Sequence, residues 1–130
     1  MRSFQPKDKD LVDMINRLSH PGKIKLDNKC IIRMYDTHGF YAFNTKDDIF
    51  NVLRFCVHPA WRGMGIGSLL HLDLLKLAKQ HGKKRLQMII HEESNSLTWF
   101  RDCWGWKGIK VVKDYFNNRD GYLLEREILV

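Results

Sequence analysis

Seven consecutive residues, Arg62-Gly63-Met64-Gly65-Ile66-Gly67-Ser68, constrain this chain most, because of what flanks them. Before them, residues 49–57 have the apolar and β-branched content of a buried strand, and Pro59 ends it. After them, Ile66, Leu69, Leu70, Leu74, Leu77 and Ala78 give a wide apolar stripe over a helix at 65–81, closed by Gly82. A strand, a glycine loop and a helix in that order make a cradle for phosphate. Glycine lets the backbone approach a ligand, and the first helical turn offers unpaired N–H groups at the positive end of the helix dipole. Arg62 adds a cation at the mouth.

Glycine spacing decides which phosphate fits. A dinucleotide loop needs G-x-G-x-x-G, yet counting from Gly63 puts the third glycine on Ser68, and counting from Gly65 puts it on Leu70. A triphosphate loop needs a lysine after its last glycine, and here Ser68 follows Gly67. Neither nucleotide pattern is met.

At 130 residues the chain is read as a single domain, 1–130. Its 44% hydrophobic and 28% charged residues are the balance of a globular protein rather than a disordered one. His71, Asp73 and Lys76 break the longest apolar run short of the ~20 residues a membrane span needs. The opening MRSFQPKDKD has no apolar signal core. Cys30, Cys56 and Cys103 are odd in number and widely spaced, which fits neither a disulfide framework nor a metal site. A reducing, cytoplasmic setting is expected. The net charge of +7 favours anionic partners and disfavours polycationic substrates. Lys83-Lys84-Arg85 is short and has no interleaved aromatics, so it reads as a solvated turn, and nucleic-acid binding rests on charge alone.

The remaining patterns complete an α/β reading. A first strand is expected at 2–6, and a helix at 8–19 with Leu11, Met14, Ile15 and Leu18 on one face, stopped by His20-Pro21-Gly22. Strands at 30–35 and 40–43 flank the turn Asp36-Thr37-His38-Gly39. Residues 86–90 read as a strand buried on both faces. Ser94 or Asn95 caps a short helix through Cys103, closed by Gly105. Strands at 109–116 and 122–130 are joined by the loop 117–121. The order β-α-β-β-β-α-β-α-β-β implies a mixed central sheet flanked by helices.

R-x-x-G-x-G directly after a strand ending in V-x-P resembles the acyl-CoA loop of the GNAT superfamily of N-acetyltransferases. The resemblance is most specific over 55–70, fair over 104–128 and architectural before residue 45. Gly105-Trp106 matches the glycine-aromatic close of the family's next helix, while Ser94, Leu97 and Arg101 stand where relatives keep Asn, Ala and Tyr. Tyr115-Phe116 and Asp120-Gly121-Tyr122-Leu123-Leu124 look like the final hairpin of the ribosomal-protein alanine acetyltransferase branch, where hairpin aromatics help hold a peptide N-terminus. The resemblance implies a GNAT-like fold and transfer of acetyl from acetyl-CoA to a primary amine, with a protein or peptide as acceptor. It implies CoA contacts from Phe55, Val57, Arg62, Gly63, Met64, Gly65, Ile66, Gly67, Ser68, Ser94, Asn95 and Arg101, with Val57 the oxyanion donor.

Such a transfer also needs a base for the ammonium and an acid for the leaving thiolate. Arg101 cannot shuttle a proton, so Tyr115 is the candidate acid. Where the N-terminal acetyltransferase branch often carries its base, this chain has Ile89. His91 is two residues on along the same strand face, has a suitable intrinsic pKa, and is the candidate base, with Glu92 and Glu93 beside it. Asn51 stands where some relatives keep a glutamate, and Asp47 and Asp48 lie just upstream. Cys56 reads as a small core residue and His58 as exposed. Trp99, Phe100, Trp104 and Trp106 read as core, although Trp104 could wall the acceptor site. Two alternatives remain at this point: a small-molecule amine acetyltransferase, and a silent acyl-CoA-binding module suggested by Arg101 and Ile89.

Overall fold

Two hairpin turns at the middle of the chain rest on aspartates in the left-handed region. Asp36 has φ 48° and Asp47 has φ 56°, a conformation that short polar side chains tolerate better than most. They link strands β2 (Ile31–Tyr35), β3 (Gly39–Lys46) and β4 (Ile49–Val57) into an antiparallel meander. The computed structural model describes residues 1–19, 30–91, 96–116 and 119–128. Its other elements are β1 (Arg2–Ser3), α1 (Lys9–Ser19), α2 (Ile66–Gln80), β5 (Arg85–His91), α3 (Ser96–Thr98), β6 (Lys107–Phe116) and β7 (Arg119–Glu127), which is the element order the sequence implies. All seven strands form one sheet in the order β1-β2-β3-β4-β5-β7-β6. Among the described strands only β4 and β5 run parallel, joined by the crossover helix α2. No helix among the described residues is long and apolar enough to cross a membrane.

Each face of the sheet is covered by its own helix. On one face Val12 and Ile15 of α1 pack with Ile32, Met34, Phe40, Ala42 and Cys56. On the other, Ile66, Leu70, Leu74 and Ala78 of α2 pack with Tyr41, Phe43, Phe50, Val52, Phe55, Leu86, Met88, Ile90, Phe100, Trp106 and Leu124. Burial of this kind contributes about 25 cal/mol per Å² of apolar surface, so the two cores dominate the stability.

Several expectations are corrected in detail. The first strand is two residues long, because Pro6 starts a 3-10 turn at Pro6–Asp8. Val12 takes the buried place in α1 given to Met14, which is exposed. In α2, Leu69 is 42% exposed and lies off the buried stripe. Strand β5 alternates rather than being buried on both faces: Leu86, Met88 and Ile90 are buried, while Gln87 and Ile89 are half-buried. The last hairpin is tighter than a five-residue loop, because Phe116 already pairs with Arg119. A bulge between Val112 and Phe116 absorbs the difference. There Asp114 takes φ 53° and its N–H donates to Asp120 Oδ1 at 3.1 Å.

One polar cluster ties α2 to the meander. Asp73 accepts from Arg33 Nε and Nη2, both at 3.2 Å, and from the Tyr41 hydroxyl at 2.5 Å. Burial and the Asp73 carboxylate together push the Tyr41 phenol above its ordinary range, so it stays a donor. Removing the carboxylate strands a half-buried cation and a buried hydroxyl. Asp73→Ala is therefore expected to cost ~2–3 kcal/mol in chemical denaturation. A loss below ~0.5 kcal/mol would show the cluster to be no more than a surface ion pair.

Candidate active site

The centre of the site is a parting of strands. β4 and β5 pair over Ile49↔Arg85, Phe50↔Leu86, Asn51↔Gln87 and Val52↔Met88, and the pairing stops there although both strands continue. At the closed end the Asp48 carbonyl accepts both Lys84 N–H and Arg85 N–H, at 2.9 and 3.2 Å. The Asp48 carboxylate meets Arg85 Nη2 at 3.3 Å. At the other end the β3–β4 register slips: Ala42 faces Arg54 while Phe43 faces Val52, leaving Leu53 as an extra residue in β4. Such a bulge bends the strand that carries it. Leu53–Val57 therefore diverge from Ile89–His91, and a wedge-shaped gap opens between them.

The backbone beyond the bulge is aimed at that gap. His58 N–H donates to the His38 carbonyl at 2.7 Å, and Phe40 faces Cys56. Bonded residues alternate along an antiparallel ladder, so Cys56 and His58 turn their peptide groups to β3, and Phe55 and Val57 turn theirs the opposite way. Val57 C=O accepts from Arg62 Nε at 3.2 Å on that side. The Val57 N–H thus points away from β3, toward the gap.

Next to the gap stands the glycine loop. Gly63 and Gly65 have φ of 79° and 81°, and a Cβ at either would meet nothing within 4 Å, so conformation rather than crowding selects glycine here. Gly65 caps α2 without any side-chain hydrogen bond, and the first helical bond runs from Leu69 N–H to Gly65 C=O at 3.1 Å. The N–H groups of Ile66, Gly67 and Ser68 precede that bond and face out of the helix end. An acyl-CoA diphosphate fits this arrangement: amide donors, the positive end of a 15-residue helix, and the Arg62 guanidinium nearby. Met64 is exposed beside them.

An aromatic block behind α2 supports the loop. His71 is buried; its ring stacks on Trp104 at 4.3 Å, and its Nε2 accepts from Trp106 Nε1–H at 3.0 Å. Trp104 also approaches Gly67, where a Cβ would lie 3.6 Å from its ring. Phe55 and Phe100 complete the block. Trp104 therefore backs the first turn of α2. Trp106 and Phe100 are core as expected, whereas Trp99 is 57% exposed. Sequence reading missed His71 entirely, taking it only as an interruption of an apolar run. An uncapped polar residue at a buried helical position was the available signal.

The other sequence candidates fall as follows. His91 ends β5, paired with Gly121, within the open half of the gap. Glu92, Glu93, Ser94 and Asn95 lie outside the described residues, as does the side chain of His91. The short helix is one turn of α3 followed by a π-turn at Trp99–Cys103. Arg101 is exposed there and paired with Asp102 at 3.1 Å. Tyr115 is half-exposed on the β6–β7 hairpin, beyond the last β5 pair. Asn51 binds Asn44 at 3.3 Å and, with Asp47 and Asp48, belongs to the closed end, away from the parting of the strands. Cys56 is buried, which pushes its thiol up to about 12, so it is no nucleophile. His58 is half-buried rather than exposed, and its Nδ1 accepts from Ala60 N–H at 3.0 Å, capping the turn after β4.

Comparison with known proteins agrees with this geometry. The family model described as Acetyltransferase (GNAT) family matches residues 7–103. The chain belongs to the GNAT acetyltransferase family, whose acyl donor is acetyl-CoA. No match is found among curated proteins. Among solved structures it is similar to Ard1 from Thermoplasma volcanium, with 19% identity, TM-score 0.86, and 99% and 97% of the two chains covered. The ribosomal-protein-S18-alanine N-acetyltransferase from Escherichia coli follows with 12%, 0.82, 99% and 93%. An aminoglycoside 6'-N-acetyltransferase complexed with coenzyme A gives 13%, 0.77, 99% and 97%. At such identities these likenesses concern the fold.

Burial dominates the charge state of His71 and pulls its pKa from 6.5 down to about 4. Between those values the unfolded chain binds a proton that the folded chain refuses. Stability therefore falls as pH drops through that window, by up to ~3 kcal/mol, and levels off below it. Asp8, held down to about 2 by its bonds to Arg2 and the Gln5 N–H, loses its contribution in a lower window. In His71→Gln, which keeps an acceptor for Trp106, the melting temperature should lack the step between pH 6.5 and 4. An unchanged step would assign it to another group.

Proposed function

We propose that this acetyltransferase modifies the amino terminus of a protein or peptide. The observation that carries this reading is the β6–β7 hairpin. Its described residues 113–116 and 119–120 continue past the end of β5, where His91 meets Gly121, and they carry a half-exposed Tyr115. An extended chain laid along such an aromatic can bring its first amine to the thioester. The likeness in fold to a ribosomal-protein alanine acetyltransferase supports the reading.

In this scheme the cofactor diphosphate rests on the amides of Gly65–Ser68, with Arg62 beside it, and Phe55 and Met64 flank the arm. Acetyl-CoA supplies the acyl group. The neutral amine forms a bond to the thioester carbon, and the Val57 N–H holds the oxygen while it carries charge. Collapse breaks the carbon–sulfur bond and releases the CoA thiolate. His91 takes the proton from the ammonium, directly or through water, with Glu92 as its neighbour; the Tyr115 hydroxyl supplies one to the thiolate. Ser94, Asn95 and Arg101 remain candidates for contacts to the cofactor's outer end.

Two measurements test the scheme. Gly65→Glu places an anion in the diphosphate cradle, where there is room for it, at a strain of ~1 kcal/mol for a side chain at positive φ. Calorimetry should then detect no acetyl-CoA binding by a variant that still melts cooperatively; unchanged affinity would contradict the cradle. With labelled acetyl-CoA and a peptide library, α-amines should be labelled, and His91→Ala should lower kcat ~10²–10⁴-fold without weakening cofactor binding. Transfer to small amines with none to peptides would contradict the choice of acceptor.

A further inference from the structure

Arg54 is the first residue past the Leu53 bulge, and its hydrogen bonding is incomplete. Its Nη1 donates to the Leu53 carbonyl at 2.7 Å, whereas its Nε is sealed from solvent and bonds to nothing. Three other guanidiniums of the described sheet meet carboxylates, Arg2 with Asp8, Arg33 with Asp73, and Arg85 with Asp48 and Glu125. Arg126 meets the carbonyls of Trp104 and Glu127 and has no donor both sealed and unpaired. No carboxylate reaches Arg54 among the described residues. A half-buried cation without a carboxylate partner is costly unless an anion is supplied from outside.

Position suggests what that is. Arg54 faces Ala42 across the ladder, and Ala42 packs on the α1 face. Its charge is felt by the Cys56 thiol, which lies in the same layer. Arg54 therefore lies on the side of the sheet opposite the glycine loop and the His71–Trp104 block, at the step where the gap begins. A cofactor held at the α2 end leaves this side for the acceptor.

We propose that Arg54 recognises a carboxylate carried by the acceptor, so that the preferred substrate is an amine with an acidic group close to it, as in a peptide with Asp or Glu at its second position. The inference rests on the acetyltransferase reading above and names the substrate class of the same site. The sealed Nε is out of an arriving group's reach, but Nη2 is not sealed and Nη1 keeps a second N–H, so the end of the guanidinium offers a carboxylate two charge-assisted donors. The same charge repels lysine-bearing acceptors, which accords with a chain whose net charge is already +7.

The test uses the CoA-loaded protein and three peptides differing only at the second residue, Ala-Glu, Ala-Gln and Ala-Lys, with free glutamate and glutamine as a small-molecule arm. Calorimetry reads acceptor binding without turnover, and steady-state kinetics reads KM and kcat separately. Binding of the Glu peptide should be ~10-fold or more tighter than that of the Gln peptide, and the Lys peptide weakest. Arg54→Met should erase that order through KM, Arg54→Lys should restore part of it, and both should keep the native melting temperature and acetyl-CoA affinity. The small-molecule arm assigns the carboxylate to a free amino acid instead if glutamate, and no peptide, shows the Arg54-dependent preference. Equal binding of the three peptides with no such glutamate preference, an acidic preference that survives Arg54→Met, or a loss of melting temperature that accounts for the effect overturns the proposal. Loss of acetyl-CoA binding by the native protein would instead strike the acetyltransferase reading, and acceptor binding would still report on Arg54.

Discussion

Strands β4 and β5 are held together at one end by the Asp48 carbonyl and let apart at the other by a single extra residue, Leu53. Nearly everything of functional interest depends on this wedge. Had the parallel ladder continued, the peptide groups of Phe55 and Val57 would be spent on β5. Because it stops after Val52↔Met88, those groups face a gap that also adjoins the uncapped end of α2. A backbone donor and an anion cradle are thus placed side by side without any particular side chain.

The two faces of the sheet divide the work. On the α2 face the buried His71, neutral and bonded to Trp106, stacks behind Trp104, which in turn backs the first turn of α2. Neutrality matters there, because a protonated imidazole would lose its acceptor and carry a charge among aromatics. On the α1 face the packing is apolar, with the Arg2–Asp8 pair at one edge and Arg54, which no carboxylate reaches among the described residues, at the parting of the strands. The α2 face is therefore aromatic beside the glycine loop, while the α1 face holds the Arg54 cation where the strands part.

Sequence reading recovered the element order and the glycine loop because both are local. Positive φ at Gly63 and Gly65, an apolar stripe and a proline stop are written into neighbouring residues. What it missed depends on register. The Leu53 bulge sets which face each later β4 residue takes, so Arg54 could not be placed beforehand. Asp114 shortens the last loop by a bulge that no turn residue announces. His71 looked like a break in an apolar run because its partner, Trp106, is 35 residues away. Leu69 and Met14 were assigned to buried faces by periodicity, and the sheet's actual outline left them outside.

The most direct test of this account is an amide chemical-shift titration of the protein with acetyl-CoA. Shifts should be largest at Val57, Gly65, Ile66, Gly67 and Ser68, with a further response from the Trp104 indole and little change at the Asp47–Asp48 turn. If the shifts gather instead at the closed end of the wedge, or along Lys83-Lys84-Arg85, the gap and the glycine loop are not where the cofactor binds.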